Sequence, residues 1–351
     1  MRIRPILGIA IAVTAAVAVL GVGCGDDDDD DGGGEGEITE LTATIPFPSG
    51  IVFYPLYVAE ANGYLEEEGL SVEVQAVDGS GPAVQQVLTG RADFALATPS
   101  DTMAAILEGA DLTSVYTMYQ SNVFSVVTEP GEGVEEIADL EGETIGVGSK
   151  EGGETDFLTA LLAAEEDWQQ DEDYELLAVG DGGSATVALR GDEVPAYAAS
   201  FPDVAIMRLR GLELENIVPE TFQGFFDSTV TMETSYVEEN PEQIEGLGRA
   251  LAKATVFGFE NPEETLDITG EAFPEEIDDR EFALALLEET QSLFELPECA
   301  GDQYGYACED AVQGVIDYLV ETGQLPEPVD PGVFSNEFVD AYNDFDQSEV
   351  E

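Results

Sequence analysis

The stretch YPLYVAEANGYLEEEGLSVEV, residues 54–74, followed by GPAVQQVLTGRADFALATPSD, residues 81–101, decides the fold. Its first half places apolar residues at helical spacing, reaches a glycine, and passes into SVEVQAV, where apolar and polar residues alternate. A period of 3.6 giving way to a period of 2 is a helix followed by a strand. The second half repeats the sequence of events, with a helix over PAVQQVLTG, the strand DFALA (93–97) and a helix over SDTMAAILEG. The strand LTATIPF (41–47) precedes this block and TSVYTMY (113–119) follows it. Strands alternating with helices predict a mostly parallel sheet covered on both faces.

Working outward, a second alternating set comprises FSVVTE, a short helix near Glu135 to Leu140, TIGVG (144–148), a long helix over ETDFLTALLAAEED, YELLAVG (174–180), a helix near Ser184 to Arg190 and AYAAS (196–200). Two α/β units therefore share one chain. From about Ser235 the pattern is nearly all helix, as in ENPEQIEGLGRALAKATVFGF, DREFALALLEETQSLF and DAVQGVIDYLVETG.

The 351 residues are 44% hydrophobic, enough for a sizeable core, but ten Lys and Arg face 76 Asp and Glu, for a formal net charge of -66. This balance argues against nucleic acid as a partner, which needs clustered cations to neutralise phosphates. The acids are spread along the whole chain with apolar periodicity intact between them, the pattern of a folded protein coated with carboxylates. Such a coat repels itself and becomes tolerable in salt, since the Debye length falls to about 3 Å at 1 M. A salt-loving, halophilic source organism is the expectation.

Arg2 and Arg4 precede an uncharged stretch from Pro5 to Gly23, and Cys24 follows, ahead of six aspartates. A positive region, an apolar region and small residues before a cut are the parts of a secretion signal. LGVGC (20–24) resembles a lipoprotein signal, whose cysteine becomes the lipidated first residue after cleavage. It departs from that pattern in that Leu20 stands four residues before Cys24 rather than three, and Gly21 takes the usual leucine position. An uncleaved anchor is the alternative, because the uncharged run is close to the ~20 residues that span a bilayer. Both readings place the remainder outside the cell, in agreement with arginines before the run and acids after it. Residues 1–23 are thus expected as a signal peptide, 24–37 as an acidic Gly-rich tether and 346–351 as a tail. In an exported chain Cys299 and Cys308, nine positions apart in PECAGDQYGYACED, read first as a disulfide. A metal site is the weaker reading, because the chain has no histidine.

The stretch quoted first resembles the first lobe of the substrate-binding proteins of ABC importers, in the type II periplasmic-binding family whose members bind sulfonates, nitrate, taurine, riboflavin and thiamine precursors. IADLEGETIGVGSKEGGE (137–154), LRGDEVPAYAASFPD (189–203) and VEENPEQIEGLGRAL (237–251) keep the family's order, so that the resemblance covers about residues 41–345. It implies an α/β, two-lobed periplasmic-binding-protein type II fold, each lobe a mixed, mostly parallel sheet flanked by helices, with a helical C-terminal part. It places lobe one at 38–122 plus 227–345 and lobe two at 126–222, with hinges near Ser121 to Ser125 and Gly224 to Thr229. It also implies a monomer without a cofactor that closes on a small-molecule ligand and docks on ABC permease subunits served by a cytoplasmic ATPase. A lipid on Cys24 would hold it to the outer face of the membrane.

Ligands in open α/β sheets sit beyond the carboxyl ends of strands, where helix N-termini point their free N–H groups. The loops at those ends carry the candidate ligand-binding residues. PFPSGIVFY offers Phe47, Ser49, Phe53 and Tyr54, and TPSD offers Thr98, Ser100 and Asp101. In lobe two, GSKEGGET offers Ser149, Lys150, Glu151, Glu154 and Thr155, SFPD offers Ser200, Phe201 and Asp203, and QGFFDS at the second hinge adds Phe225. Ser100, Asp101 and Asp203 read equally well as helix caps. The aromatics of IVFYPLY also fit a core face of a helix, and Glu151 and Glu154 also fit the acidic coat. Phe47 and Tyr54 are favoured because they flank one strand-end loop.

Only Lys150 lies in such a loop, among the eight Lys and Arg left when Arg2 and Arg4 are set aside from ten. Aromatic faces stack flat rings, and carboxylates accept hydrogen bonds from ring amines. A neutral or weakly cationic heterocycle, a pyrimidine thiamine precursor or a flavin-like vitamin, is therefore expected in preference to sulfonate, taurine or nitrate. A sensor that presents its ligand to a receptor is a second class of function. An enzyme is the third: the family resembles fungal thiamine-pyrimidine synthases, which depend on a histidine and a cysteine-rich motif, and this chain has neither. The absence of histidine also removes Ser-His-Asp and Cys-His nucleophiles.

Overall fold

The computed structural model describes residues 38–131, 133–150 and 153–350. Cys24, with the signal and tether expected around it, and Glu151 lie outside the described residues.

Two five-stranded sheets carry the molecule. The first is built from β1 (Thr39–Ile45), β2 (Leu70–Ala76), β3 (Phe94–Ala97), β4 (Leu112–Tyr119) and, much later in the chain, β10 (Asp227–Glu233). Its strand order is β2-β1-β3-β10-β4. The second is built from β5 (Phe124–Thr128), β6 (Thr144–Val147), β7 (Glu175–Ala178), β8 (Tyr197–Ser200) and β9 (Glu215–Asn216), in the order β7-β6-β8-β5-β9. In the first sheet β1 runs parallel to β2, with Thr39 opposite Leu70 and Ile45 opposite Ala76, and parallel to β3. In the second, β6 runs parallel to β7 and β8. Each sheet also takes in one antiparallel strand that enters from the other: β10 against β3 and β4, and β5 against β8 and β9. The chain therefore crosses between the sheets twice, from Tyr119 to Phe124 and from Asn216 to Asp227.

The first-sheet elements follow the local pattern closely. The helix expected from the first half of residues 54–74 is two pieces, Tyr54–Ala61 and Tyr64–Glu67, because Gly63 between them takes φ +75°, a left-handed conformation open to glycine at little cost. The long amphipathic helix Pro241–Glu260 lies across the Tyr54–Ala61 helix, and Gly258 makes the approach close enough that a Cβ there would sit 2.2 Å from the Tyr54 ring.

Strand β10 has no counterpart among the elements expected from sequence, which pass from the second hinge to the C-terminal helices. The strand is central, with Ser228, Thr229, Val230, Thr231 and Met232 all buried, so the period-2 signature of a half-exposed strand is missing. Its hydroxyls are satisfied by one another and by neighbours: Ser114 Oγ lies 3.0 Å from Thr229 Oγ1 and 2.8 Å from Thr231 Oγ1, and Thr102 Oγ1 lies 3.3 Å from Thr231 Oγ1. Burying these hydroxyls costs little because each has a partner.

The C-terminal part differs from the expected division as well. Residues 227–345 are expected from sequence as one block with the first lobe, yet the helix Glu309–Glu321 buries Val312, Val315, Ile316 and Leu319 among Leu158, Phe222 and Phe225 of the second-sheet side. The Tyr318 hydroxyl donates to the Phe157 carbonyl at 3.3 Å. Just before this helix Cys299 and Cys308 are joined, with Cα atoms 6.0 Å apart. The loop they close rests on the end of β4, where Thr117 N–H donates to the Gly305 carbonyl at 3.0 Å and Gln120 Nε2 donates to the Tyr306 carbonyl at 3.0 Å.

Candidate functional site

The cleft between the sheets is framed by the ends of their strands. From the first sheet, the turn after β1 supplies Phe47 and Phe53, whose ring centroids lie 5.1 Å apart. Phe47 is 43% exposed, a large apolar ring facing open space, whereas Phe53 is buried beneath it. After β3, Thr98 caps the helix Pro99–Leu107: its Oγ1 accepts from Asp101 N–H at 3.3 Å and donates to Asp101 Oδ2 at 3.1 Å. From the second sheet, Ser200 and Asp203 form a capping box on the helix Phe201–Leu209, and Phe201 N–H donates to the Val123 carbonyl at 3.1 Å. Phe201 and Phe124 line, together with Phe47 and Phe53, a cavity of about 480 Å³, whose polar wall includes Asp78, Ser200, Asp227 and Ser228.

A second cavity of about 400 Å³ adjoins it, lined by Ser100, Asp101, Asn122, Asp156, Phe225 and Gln324 among others. Thr98, Phe124 and Asp227 belong to the walls of both. No lysine or arginine lines either cavity among the described residues.

Of the residues singled out from sequence, the structure brings Phe47, Phe53, Thr98, Ser200 and Phe201 together in the first cavity and Thr98, Ser100, Asp101 and Phe225 in the second. It places others elsewhere. Tyr54 is fully buried in the core, its ring centroid 5.3 Å from that of Phe294 and its hydroxyl donating to the Thr255 carbonyl at 3.3 Å. It starts a helix whose apolar face must be covered, and core packing claims the side chain. Ser49 is buried as the acceptor for Val52 N–H at 3.2 Å, a turn contact. Thr155 is buried and donates to the Ser149 carbonyl at 2.6 Å, and Ser149 and Lys150 are exposed outside both cavities. Glu154 turns toward Gly148, where a Cβ would meet its Oε1 at 3.0 Å. Asp203 is a structural cap whose Oδ1 accepts from Gly182 N–H at 2.8 Å and whose Oδ2 accepts from Ser200 Oγ at 2.8 Å.

Two central residues, Phe124 and Asp227, are not among those singled out from sequence. Both sit where the chain crosses between sheets, and the segment QGFFDS holds the available signal: a carboxylate beside the second crossing. Burial pushes the Asp227 carboxyl up to about 7, with the Asp101 charge adding to the rise and the Ser228 N–H bond at 2.6 Å opposing it. At neutral pH this carboxyl is therefore divided between a donor form and an acceptor form. Ser228 takes φ +43°, a left-handed conformation uncommon for serine, and its N–H donates to Asp227 Oδ1.

Two mixed sheets joined by two crossings, with an aromatic cleft between them, define a two-lobed substrate-binding protein. The chain belongs to the NMT1/THI5-like family, whose model matches residues 51–265. It is 25% identical over 310 residues to the riboflavin-binding protein RibY of Chloroflexus aurantiacus, covering 86% of each chain. It is 26% identical over 282 residues to the formylaminopyrimidine-binding protein of Halalkalibacterium halodurans, covering 78% of this chain and 82% of that one. Among solved structures, the periplasmic aliphatic sulphonate binding protein SsuA of Escherichia coli superposes with a TM-score of 0.60 at 16% identity, covering 83% of this chain and 95% of that one. That likeness is one of fold.

Proposed function

We propose that this protein is the exported substrate-binding component of an ABC importer, and that it captures a flat, uncharged or weakly cationic heterocycle of the flavin or thiamine-pyrimidine kind. The observation that carries the ligand class is the cleft itself: Phe47, Phe53, Phe124 and Phe201 surround a cavity whose polar wall is carboxyl and hydroxyl, with no cation among the described lining residues. Aromatic faces stack such rings, and Asp227 can pair with a ring nitrogen as donor or acceptor. The names of two relatives, a riboflavin binder and a formylaminopyrimidine binder, support the same reading. A sulfonate would meet Asp78 and Asp227 without a countercharge, which disfavours it.

Closure follows from contacts made by ligand to both lobes at once, because a ligand shifts an equilibrium only by its differential affinity for the two states. The closed form then presents both lobes to permease subunits powered by a cytoplasmic ATPase. Lipidation of Cys24 and the acidic tether after it would keep the binding protein at the outer face of the membrane. The absence of histidine from the whole sequence supports binding rather than pyrimidine synthesis.

A thermal-shift panel in high salt tests the assignment, with riboflavin, formylaminopyrimidine, taurine, an alkanesulfonate and nitrate. Stabilisation of about 2.7 kcal/mol is expected at a hundredfold excess over Kd for a heterocycle. A shift with taurine or the sulfonate alone overturns the ligand class.

A further inference from the structure

The chain passes between the two sides of the molecule more often than its strands record. After the helix Arg280–Ser292, Leu293 and Phe294 are buried in the core of the first-sheet side, whereas the helix Glu309–Glu321 is buried with Phe222 and Phe225 on the other. Beyond that helix the chain returns to β4: Ser335 N–H donates to the Ser114 carbonyl at 2.8 Å, and the Tyr342 hydroxyl donates to the Val115 carbonyl at 2.9 Å. A third passage therefore runs from Phe294 to Glu309 and a fourth from Glu321 to Ser335.

The third passage carries the disulfide. A separation of nine residues, which could reach about 30 Å fully extended, is held to 6.0 Å between the Cα atoms of Cys299 and Cys308. The loop so closed is tied to the first crossing by Gln120, which is 6% exposed. Its Nε2 donates to the Tyr306 carbonyl at 3.0 Å, and its N–H donates to the Leu293 carbonyl at 2.6 Å. Two residues on, Asn122 ties the first crossing to the second, donating from its N–H to the Gln223 carbonyl at 3.0 Å and from Nδ2 to the Phe222 carbonyl at 3.3 Å. A cavity of about 460 Å³, lined by Gln120, Phe225, Phe226, Tyr306 and both cysteines, leaves the loop standing off from the second crossing.

Two short crossings alone permit the lobes to rotate about the line that joins them. A third link set off from that line restrains the rotation, and a short link restrains it more than a long one. We propose that the Cys299–Cys308 loop, anchored through Gln120, is a strap that limits how far the lobes open. With fewer open positions to abandon, the protein loses less conformational freedom when it closes on a ligand. The inference rests on the reading of the chain as a two-lobed binding protein, whichever ligand the cleft takes.

Double electron–electron resonance on the ligand-free full chain in high salt tests it. Nitroxides are attached to ketone-bearing non-natural residues, which leaves the cysteines untouched, at one exposed position on each side, Glu73 of β2 and Glu193 ahead of β8. A control pair within the first-sheet side uses Glu73 and the exposed Glu108. Wild type is compared with Cys299→Ser plus Cys308→Ser, with Gln120→Leu, and with wild type reduced by dithiothreitol, which needs no substitution, each checked by circular dichroism. In all three the Glu73–Glu193 distribution is expected to broaden and its mean to move outward by several ångströms, while the Glu73–Glu108 distribution stays as in wild type. An unchanged or narrower Glu73–Glu193 distribution after reduction overturns the strap, as does equal broadening of the control pair, which would mean general loosening. A shift on reduction without one in Gln120→Leu overturns the anchor at Gln120. No ligand is present, so the outcome is separate from that of the thermal-shift panel.

Discussion

The Arg208 guanidinium and the Glu289 carboxylate are paired between helices Phe201–Leu209 and Arg280–Ser292, which belong to opposite sides of the cleft. Glu289 is 8% exposed, and burial raises its carboxyl above the usual carboxylate range even though Arg208 pulls it back. In a chain with ten cations against 76 acids, one of the few guanidiniums is spent where the lobes meet. Arg208→Ala would leave Glu289 without that partner at the contact between these two helices. Ligand affinity is expected to fall by about threefold to tenfold, equivalent to roughly 0.7 to 1.4 kcal/mol, with the circular dichroism spectrum unchanged. Titration calorimetry on wild type and variant reads this directly, and equal affinities would show that the pair does nothing for closure.

Asp227 carries a pH signature. Its carboxyl titrates at about 7 in the folded protein against an ordinary value of 3.8, so the neutral form is the one the fold favours. The contribution to stability is fully present below about pH 3.8 and is lost as pH rises through about 7. Asp227→Asn removes that dependence. Between about pH 4 and about pH 8 the wild type should lose roughly 2 to 4 kcal/mol relative to the variant, measured by denaturant unfolding at each pH. Parallel profiles would contradict the raised titration.

Phe47 and Tyr54, which the sequence pairs in one loop, should behave oppositely. Phe47→Ala trims an exposed ring at the cleft, and is expected to weaken ligand binding by about threefold to tenfold with little change in melting temperature. Tyr54→Phe removes the hydroxyl bonded to the Thr255 carbonyl, and should cost about 0.5 to 1.5 kcal/mol of stability while affinity holds. The reverse result would restore Tyr54 to the site.

These two residues also show what the sequence could and could not reveal. The periodicities of residues 54–101 set the order of helix and strand in the first sheet, and the family of folds came from the resemblance of that stretch and of residues 137–154, 189–203 and 237–251 taken in series. Strand β10 was hidden because Thr and Ser supply its buried faces, and their cost is removed only by partners such as Ser114 and Thr102 that lie more than a hundred positions away. Strand-end loops pointed to Phe47, Thr98 and Ser200, since topology places such loops at a cleft. Phe124 and Asp227 were missed because their importance comes from the crossing of two lobes, which no local pattern records. Tyr54 and Asp203 went astray for the converse reason: capping and core packing use the same residue types as ligand contacts.

The carboxylate coat predicts a salt response. Melting temperature should rise as KCl goes from about 0.1 M to about 2 M, because screening shortens the reach of repulsion from about 10 Å to about 3 Å or less. A flat or falling series would remove the argument for a salt-adapted protein.

The Cys299–Cys308 bond closes a nine-residue separation against the end of β4. Cys299→Ser with Cys308→Ser is expected to cost about 2.5 kcal/mol by the loop-entropy estimate, seen as a lower denaturant midpoint. Unchanged stability would mean that the contacts of Gly305 and Tyr306 suffice to hold the loop.

The place of β10 has a consequence for how the molecule is made. Between β4 and its neighbour β10 the chain builds the entire second sheet, so the first sheet stands with β3 and β4 unjoined until residue 233 has emerged. Two open strand edges during that interval are a hazard for wrong pairing. A nascent chain that is threaded across a membrane unfolded and released whole escapes the hazard, because both edges and the strand that fills the gap arrive on the same side together.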